Sequence, residues 1–431
     1  MIPVLYGDGA WKAIDAVTGS RRAADPTVAA KVSGIIEMVR REGDSALRAL
    51  AVKFNEPEPE RILLSQEEVA AACNRVPDEA KRVIGRAEKN IRAFADAAME
   101  SVKPFELERE GFSVGMDFRP VASAGCYVPG GRYPLPSSAL MTAVTASAAG
   151  VAEIAIASPR IRDEVVFAGT LAGVTRFYPV GGAQAIAALA FGTDSVWPVD
   201  MVVGPGNAFV TEAKRQLLGV VGIDMLAGPS EVVIIADGGA DPRLMALEIL
   251  AQAEHDPDSR AWFLTSSSKL AGEANEEVSL IAKGEGVPSF VGEHLKDHRI
   301  LVFDGVEECV DAANDLSPEH LVLAVENPEA LKGDLKNYGA LFMSYRSTVA
   351  FGDYLSGPNH TLPTGTTARF SEGLNPRTFM RAQSWFVPRG DISALSGDTA
   401  LFASMEGLSF HRMAAEARGA RLKADSACQH L

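Results

Sequence analysis

Apolar residues recur at helical spacing through the first part of the chain. Val28, Val32, Ile35, Ile36 and Val39 make one stripe, and Val83, Ile84, Ala87, Ile91, Phe94 and Ala98 a second, longer one. The region from about residue 27 to 100 is therefore expected to be helical, with both stripes facing a core. From about residue 118 the pattern changes, and short β-rich runs at 153–157, 175–180, 200–203, 231–236, 261–265, 299–303, 321–325 and 340–343 alternate with helical stretches such as 184–190 and 306–313. Such alternation predicts α/β architecture with mainly parallel sheets. Because so many strands exceed one comfortable sheet, two Rossmann-like α/β domains are expected.

The tail from about Arg377 differs again. Residues 378–381 and 399–405 are expected as short helices separated by the break at Pro388-Arg389-Gly390, and a small-residue, Arg-rich helix follows Glu406-Gly407-Leu408-Ser409-Phe410-His411. A tail this poor in apolar residues must pack on something, such as a second subunit.

Parallel sheets bind ligands at the carboxyl ends of their strands. Gly-rich turns are expected there at Gly130-Gly131, Gly181-Gly182-Ala183-Gln184, Gly204-Pro205-Gly206-Asn207 and Gly228-Pro229-Ser230-Glu231. Turns of this kind expose backbone N–H groups to a dinucleotide pyrophosphate, although each by itself reads first as an ordinary tight turn. None matches the G-x-G-x-x-G fingerprint or a Walker A loop.

Composition narrows the function. A chain of 431 residues, 47% of them hydrophobic, can bury a large core, and a net charge of −15 argues against a nucleic-acid surface and for small-molecule chemistry. With no run of membrane-spanning length and no signal-peptide pattern after Met1-Ile2-Pro3-Val4, a cytoplasmic protein is expected. Cys73, Cys126, Cys309 and Cys428 form no close pair and no metal spacing, so they are read as reduced thiols.

Three of the seven histidines lie in short polar segments, each beside a carboxylate or carboxamide. Gln252 and His255 follow a helical run opened by Asp241-Pro242, and at a spacing of three they leave one face: either two ligands of one metal or an exposed Gln with a capping His. In Ser317-Pro318-Glu319-His320, Ser317 reads as an N-cap and Pro318 as the first helical residue, so Glu319 and His320 are expected in a first helical turn whose dipole keeps the imidazole neutral. The density of Gly and Pro from Phe351 to Thr364 places Asp353, Asn359 and His360 on a structured loop, as binding groups or as caps of turns.

Taken in order, these segments resemble the histidinol dehydrogenase family over nearly the whole chain. The resemblance rests on Tyr127-Val128-Pro129-Gly130-Gly131, Pro136-Ser137-Ser138, Gly181 to Ala190, Gly204 to Asn207, Ala227 to Glu231, Gln252 to His255, Ser317 to Leu321, Gly357 to His360 with Leu362-Pro363-Thr364, and Glu406-Gly407-Leu408 with His411. It implies a zinc- and NAD-dependent homodimer whose tails complete the partner's active site. By position, Gln252, His255, Asp353 and His411 match the zinc ligands, His411 coming from the other subunit, and Tyr127, Gln184 and Asn207 match the NAD contacts. Ser230, Gln252, His255, His320, Asp353, His360, Glu406 and His411 match the substrate shell. The implied reaction takes a primary alcohol through an aldehyde to a carboxylate, with His320 as base for the alcohol and Glu319 as the water-activating base.

The substrate implied first is L-histidinol, oxidised to L-histidine in amino-acid biosynthesis. Arg132 in Arg132-Tyr133-Pro134-Leu135 stands where small residues are commoner, and as a cation it favours the alternative of a sulfonated propanediol; a non-catalytic zinc-binding relative is a third reading. Trp385-Phe386-Val387 also departs from the expected polar stretch. The expected division is an arm over 1–25, a first α/β domain from 26–125 and 232–375, a second from 126–231, and a dimerisation tail over 376–431.

Overall fold

The computed structural model describes residues 1–19, 25–56, 61–130, 134–284 and 287–428, with side chains as far as residue 419. The strands are β1 (Val4–Tyr6), β2 (Phe105–Arg109), β3 (Phe112–Pro120), β4 (Ser123–Tyr127), β5 (Glu153–Ala157), β6 (Arg176–Tyr178), β7 (Met201–Val203) and β8 (Gly222–Ile223), then β9 (Glu231–Ala236), β10 (Arg260–Thr265), β11 (Arg299–Val302), β12 (His320–Ala324), β13 (Ala340–Met343) and β14 (Met380–Pro388). Two compact units result, one formed by residues 1–99 and 121–379 and the other by 100–120 and 380–431.

The larger unit holds two all-parallel sheets, in the orders β1-β11-β10-β9-β12-β13 and β6-β5-β4-β7-β8. Each contains the same five-strand order, and the order reverses beside β9 in one and beside β4 in the other. The expected α/β class with two mainly parallel sheets is what the chain forms. Both faces of such a sheet must be covered, and the sequence of β9 shows how: Val232, Ile234 and Ala236 enter one core cluster and Val233 and Ile235 the other.

The N-terminal helices form as the periodicity predicts. Asp25 caps the Pro26–Glu42 helix by accepting from the Thr27 N–H, with Pro26 at a position that needs no donor. Val32, Ile35 and Val39 of this helix, with Leu47 and Leu50 of the next, share a core with Ile186, Leu189 and Val210. The helical region from residue 26 thus packs with the 126–231 sheet, not with the 232–375 sheet to which it was expected to belong, because its stripe meets the apolar face of the Gly182–Phe191 helix. On the longer Asp78–Met99 helix, Ile84, Ala87 and Ile91 are buried, but Val83 and Phe94 are exposed, so the buried stripe is narrower than expected.

The smaller unit is built from a three-stranded antiparallel sheet, β14-β3-β2, and two helices, Ser393–Met405 and Ser409–Cys428, that pack against each other. Periodicity missed this sheet. Residues 380–381, expected as helix, open β14, and only Pro376–Phe379 before them forms a 3₁₀ turn. Trp385-Phe386-Val387 is the middle of that strand. A Cβ at Gly115 on the paired β3 would lie 2.3 Å from the Trp385 ring, so the glycine makes room for the indole, and Phe386 meets Phe112 at 5.4 Å between centroids.

Candidate active site

The Pro242–Ala253 helix carries the first group. Asp241 caps it through the Arg243 and Leu244 N–H groups, as the sequence predicts, and Gln252 near its end is buried. One turn earlier, Glu248 accepts a hydrogen bond of 2.8 Å from the Val349 N–H at the start of the Val349–Tyr354 helix. Asp353, expected on a loop with Asn359 and His360, is on this short helix, which ends before the Gly-Pro run, and it lies one turn past Val349 as Gln252 lies one turn past Glu248. Burial, helped by the Glu248 charge, pushes the Asp353 carboxyl up to about 7.

Glu319 and His320 sit elsewhere than expected. Ser317 adopts a left-handed conformation (φ 47°) that ends the Val306–Leu316 helix, and the Gly339 and Ala340 N–H groups bond the Pro318 and Glu319 carbonyls. Glu319 therefore leads into β12, and His320 is its first residue. The fixed φ of Pro318 suits a strand entry as well as a helix start, and the parallel pairing with β9 and β13 decides between them. His320 is neutral for a reason other than a helix dipole: burial pushes its pKa down to about 3, assisted by the charges of His255 and His360.

Around His320 the other groups converge. Its Nδ1 is 3.6 Å from Glu319 Oε2 and its Nε2 is 3.7 Å from Asp353 Oδ1, both beyond hydrogen-bond reach. Among the described residues neither ring nitrogen has a hydrogen-bond partner, nor does the buried Gln252 Nε2. Glu319 Oε2 accepts from Ser230 Oγ at 2.7 Å and from the Glu231 N–H at 2.9 Å. Both bonds favour the carboxylate, yet burial outweighs them and raises its pKa well above the usual range.

His360 Nδ1 lies 3.0 Å from the Asp353 carbonyl, so this nitrogen carries the proton; Nε2 is then the acceptor for the Ser138 hydroxyl at 3.3 Å. Burial holds this imidazole down at about 4. Asn359 anchors the loop, donating to the Met141 carbonyl and Thr145 Oγ1 while its oxygen accepts from the Thr361 N–H. Its role is the turn-capping one. His255 is open to solvent by surface area, yet the protein packed around its ring lowers its pKa, as happens to a ring set in a recess.

This cluster lies at the amino ends of β9 and β12, the reverse of the carboxyl-end rule. The Gly228-Pro229-Ser230 turn enters β9 and does not leave a strand as expected. Gly130 and the turns at Gly181 and Gly204 obey the rule, following β4, β6 and β7, while Gly131 lies outside the described residues. There the Tyr127 hydroxyl accepts from the Gly182 N–H at 3.0 Å, and burial raises its pKa to about 12. Gln184 is buried with its Nε2 3.4 Å from Glu56 Oε2. Asn207 caps the Ala208–Leu217 helix, which commits its oxygen to the Phe209 and Val210 N–H groups.

Gly204 is held from both sides, its N–H donating to Asp224 Oδ2 (2.7 Å) and its carbonyl accepting from Lys214 Nζ (3.0 Å), with Lys214 and Asp224 forming a buried ion pair. A φ of +114° and a Cβ position 2.2 Å from the Tyr127 carbonyl oxygen leave room only for glycine there. Neither Glu248 nor the Lys214–Asp224 pair was singled out from the sequence. Glu248 was legible as the residue four before Gln252 on one helix face, whereas nothing local marks the pair.

Glu406 and His411 belong to the smaller unit, where both are exposed. Arg132 lies outside the described residues. Among the described residues no group of three or more His, Cys, Asp or Glu is placed to hold a metal ion, and no helix is long and apolar enough to cross a membrane.

A sequence profile of histidinol dehydrogenase matches residues 19–419. The chain belongs to the histidinol dehydrogenase family. It is 40% identical to the histidinol dehydrogenase of Methanocaldococcus jannaschii over 399 residues, 91% of this chain and 92% of that one. The histidinol dehydrogenase of Ruegeria pomeroyi is 38% identical over 419 residues, 95% and 96% of the two chains, and a histidinol dehydrogenase homolog of Shouchella clausii is 40% identical over 394 residues, 90% and 93%. The crystal structure of histidinol dehydrogenase from Elizabethkingia anophelis superposes with a TM-score of 0.91 at 31% identity, covering 98% of this chain and 99% of that one. Membership makes the protein an NAD-dependent dehydrogenase of this family.

Proposed function

We propose that the protein oxidises L-histidinol to L-histidine with zinc and NAD, as a homodimer with shared sites. The observation that carries this reading is the convergence of Glu319, His320, Asp353 and His360 in one buried cluster, two carboxyl groups raised and two imidazoles lowered. Opposed shifts of this kind mark groups suited to hold and move protons.

The residues present fit a cation. Asp353 is a carboxyl raised by burial and, after that, by the Glu248 charge, and the Gln252 carboxamide has an unpartnered buried nitrogen, among the described residues, whose place its oxygen takes after a half-turn. Gln252, His255 and Asp353 would hold zinc with His411 of a second copy, and the donor set of amide, imidazoles and carboxylate suits that metal. The apolar residues Phe402, Met405, Phe410 and Met413 on the smaller unit are all more than half exposed, which supports their being covered by a partner. Tyr127, Gln184 and Asn207 would hold NAD.

When bound, zinc supplies orientation of the substrate and NAD accepts hydride. His320, neutral because it is buried, accepts the proton of the alcohol. Glu319, deprotonated once positive charge enters the pocket, takes the proton from the water that adds to the aldehyde. Ser230 and the Glu231 N–H keep that carboxylate oriented. His360, Glu406 and His411 bind the substrate's polar groups.

The deciding experiment follows NADH formation by zinc-loaded protein with histidinol and with dihydroxypropanesulfonate, with and without a chelator. Chelator-sensitive NADH production from histidinol supports the proposal. Turnover of the sulfonate alone moves the protein to that substrate, and no turnover of either makes it the non-catalytic relative.

A further inference from the structure

We propose that Glu56 and Arg160, which line one cleft at the carboxyl end of β5, set the choice of dinucleotide: Glu56 binds the hydroxyls of the adenosine ribose, and its charge offsets that of Arg160, the cation that a 2′-phosphate needs. The inference rests on the reading that NAD occupies the turns after β4, β6 and β7.

In dinucleotide-binding sheets with this strand order, an acidic residue beyond the glycine turn binds the ribose 2′-hydroxyl, and a nearby Arg accommodates a 2′-phosphate. Here β5 follows the switch-point strand β4 in sequence and lies beside it, so its carboxyl end corresponds to that place. The residue there is Arg160, three beyond the last residue of β5. The acids that follow, Asp163 and Glu164, open the next helix, where Asp163 is paired with Arg75. The carboxylate comes instead from Glu56, at the end of the N-terminal helices packed on this sheet.

Three observations tie the pair to the nucleotide turns. A cleft is lined by Leu47, Ala51, Glu56, Pro159, Arg160 and Gln184, so the two charges share it with a proposed NAD contact. Gln184 Nε2 donates to Glu56 Oε2 at 3.4 Å, which links the acid to that contact directly. Pro159 is wedged between turns: a Cβ at Gly130 would fall 2.0 Å from its carbonyl oxygen, and one at Gly181 2.4 Å from its Cβ. Arg160, in a left-handed conformation (φ 52°), donates from Nη2 to the Asn55 carbonyl at 3.3 Å. The cation is thereby fixed to the residue next to Glu56.

Glu56 is half-buried; its burial raises its pKa while the Arg160 charge opposes the rise. As a carboxylate that receives, among the described residues, the weak contact from Gln184, it is chemically matched to the paired O–H donors of a ribose diol. A 2′-phosphate, with close to two negative charges, would meet the same carboxylate and be repelled.

Calorimetric titration of zinc-loaded protein with ADP-ribose and with 2′-phospho-ADP-ribose tests this without turnover. The protein is expected to favour ADP-ribose, and Glu56→Gln to shift the ratio of the two affinities towards the phosphorylated ligand by about tenfold or more. Adding Arg160→Ala to Glu56→Gln should abolish the gain for the 2′-phosphate. A ratio indifferent to position 56 overturns the assignment while leaving the dehydrogenase reading intact, and a gain that survives loss of Arg160 overturns the part given to the cation. Binding of neither ligand by the parent protein overturns both this inference and the placement of NAD on these turns.

Discussion

His320 shows how much one side chain's surroundings decide. Its type and its neighbour Glu319 are visible in the sequence, but the reason for its neutrality is not: full enclosure between β9 and β13 does what a helix dipole was expected to do. If His320 takes the alcohol proton and Glu319 activates water, His320→Asn should slow both oxidations by about 10²–10⁴-fold. Glu319→Gln should slow the aldehyde step more than the alcohol step. Supplying histidinol and the aldehyde separately measures the two, and equal losses would contradict the roles. His298 offers a prediction away from the site. It is buried, its Nδ1 accepts from the Ala261 N–H at 3.0 Å, and burial lowers its pKa from 6.5 to about 4. The unfolded chain binds the proton more readily between those values, so the stability His298 contributes is complete above pH 6.5 and is lost as pH falls towards 4. The stability difference between the parent and His298→Gln, from urea denaturation, should therefore narrow on acidification; a difference independent of pH would sink the account.

At the scale of elements, the parallel strands were legible because burial on both faces writes continuous runs of β-branched and other apolar residues, and the helices because apolar stripes mark the N-terminal ones and Asp241-Pro242 announces the start of a later one. Ser317-Pro318 carried the same local signal and ended a helix instead. Its neighbours Gly339 and Ala340, some twenty residues on, made it a strand entry through backbone bonds that no local pattern contains. β14 and its partner β3 were missed because a half-exposed antiparallel strand lacks a strong apolar run. The buried Lys214–Asp224 pair likewise owes its meaning to the Gly204 backbone between its members. Lys214→Met should cost about 3–5 kcal/mol by leaving Asp224 buried and uncompensated. Asp224→Leu added to it should recover part of that loss, while NAD binding stays weak because the Gly204 turn has lost its anchors. Chemical denaturation and NAD titration of the single and double variants read both effects. No recovery in the double variant would show that the pair's cost lies elsewhere.

For the whole molecule, the proposed crossing of His411 between chains has a direct test. His411→Ala and His320→Asn proteins, each inactive alone, should regain one working site per heterodimer when mixed under conditions that exchange subunits, and absence of rescue would place His411 in its own chain's site. What the amino-acid order determined by itself was the class of fold, most strand positions and the residue types of the site, since periodicity, caps and Gly-Pro turns act over a few neighbours. Tertiary structure alone decided that the candidate site gathers at the amino ends of β9 and β12, that the N-terminal helices cover the second sheet, and that Glu56 and Arg160 line one cleft with Gln184. Those outcomes depend on burial and on hydrogen bonds between residues about a hundred positions apart, and neither leaves a pattern in any short stretch of chain.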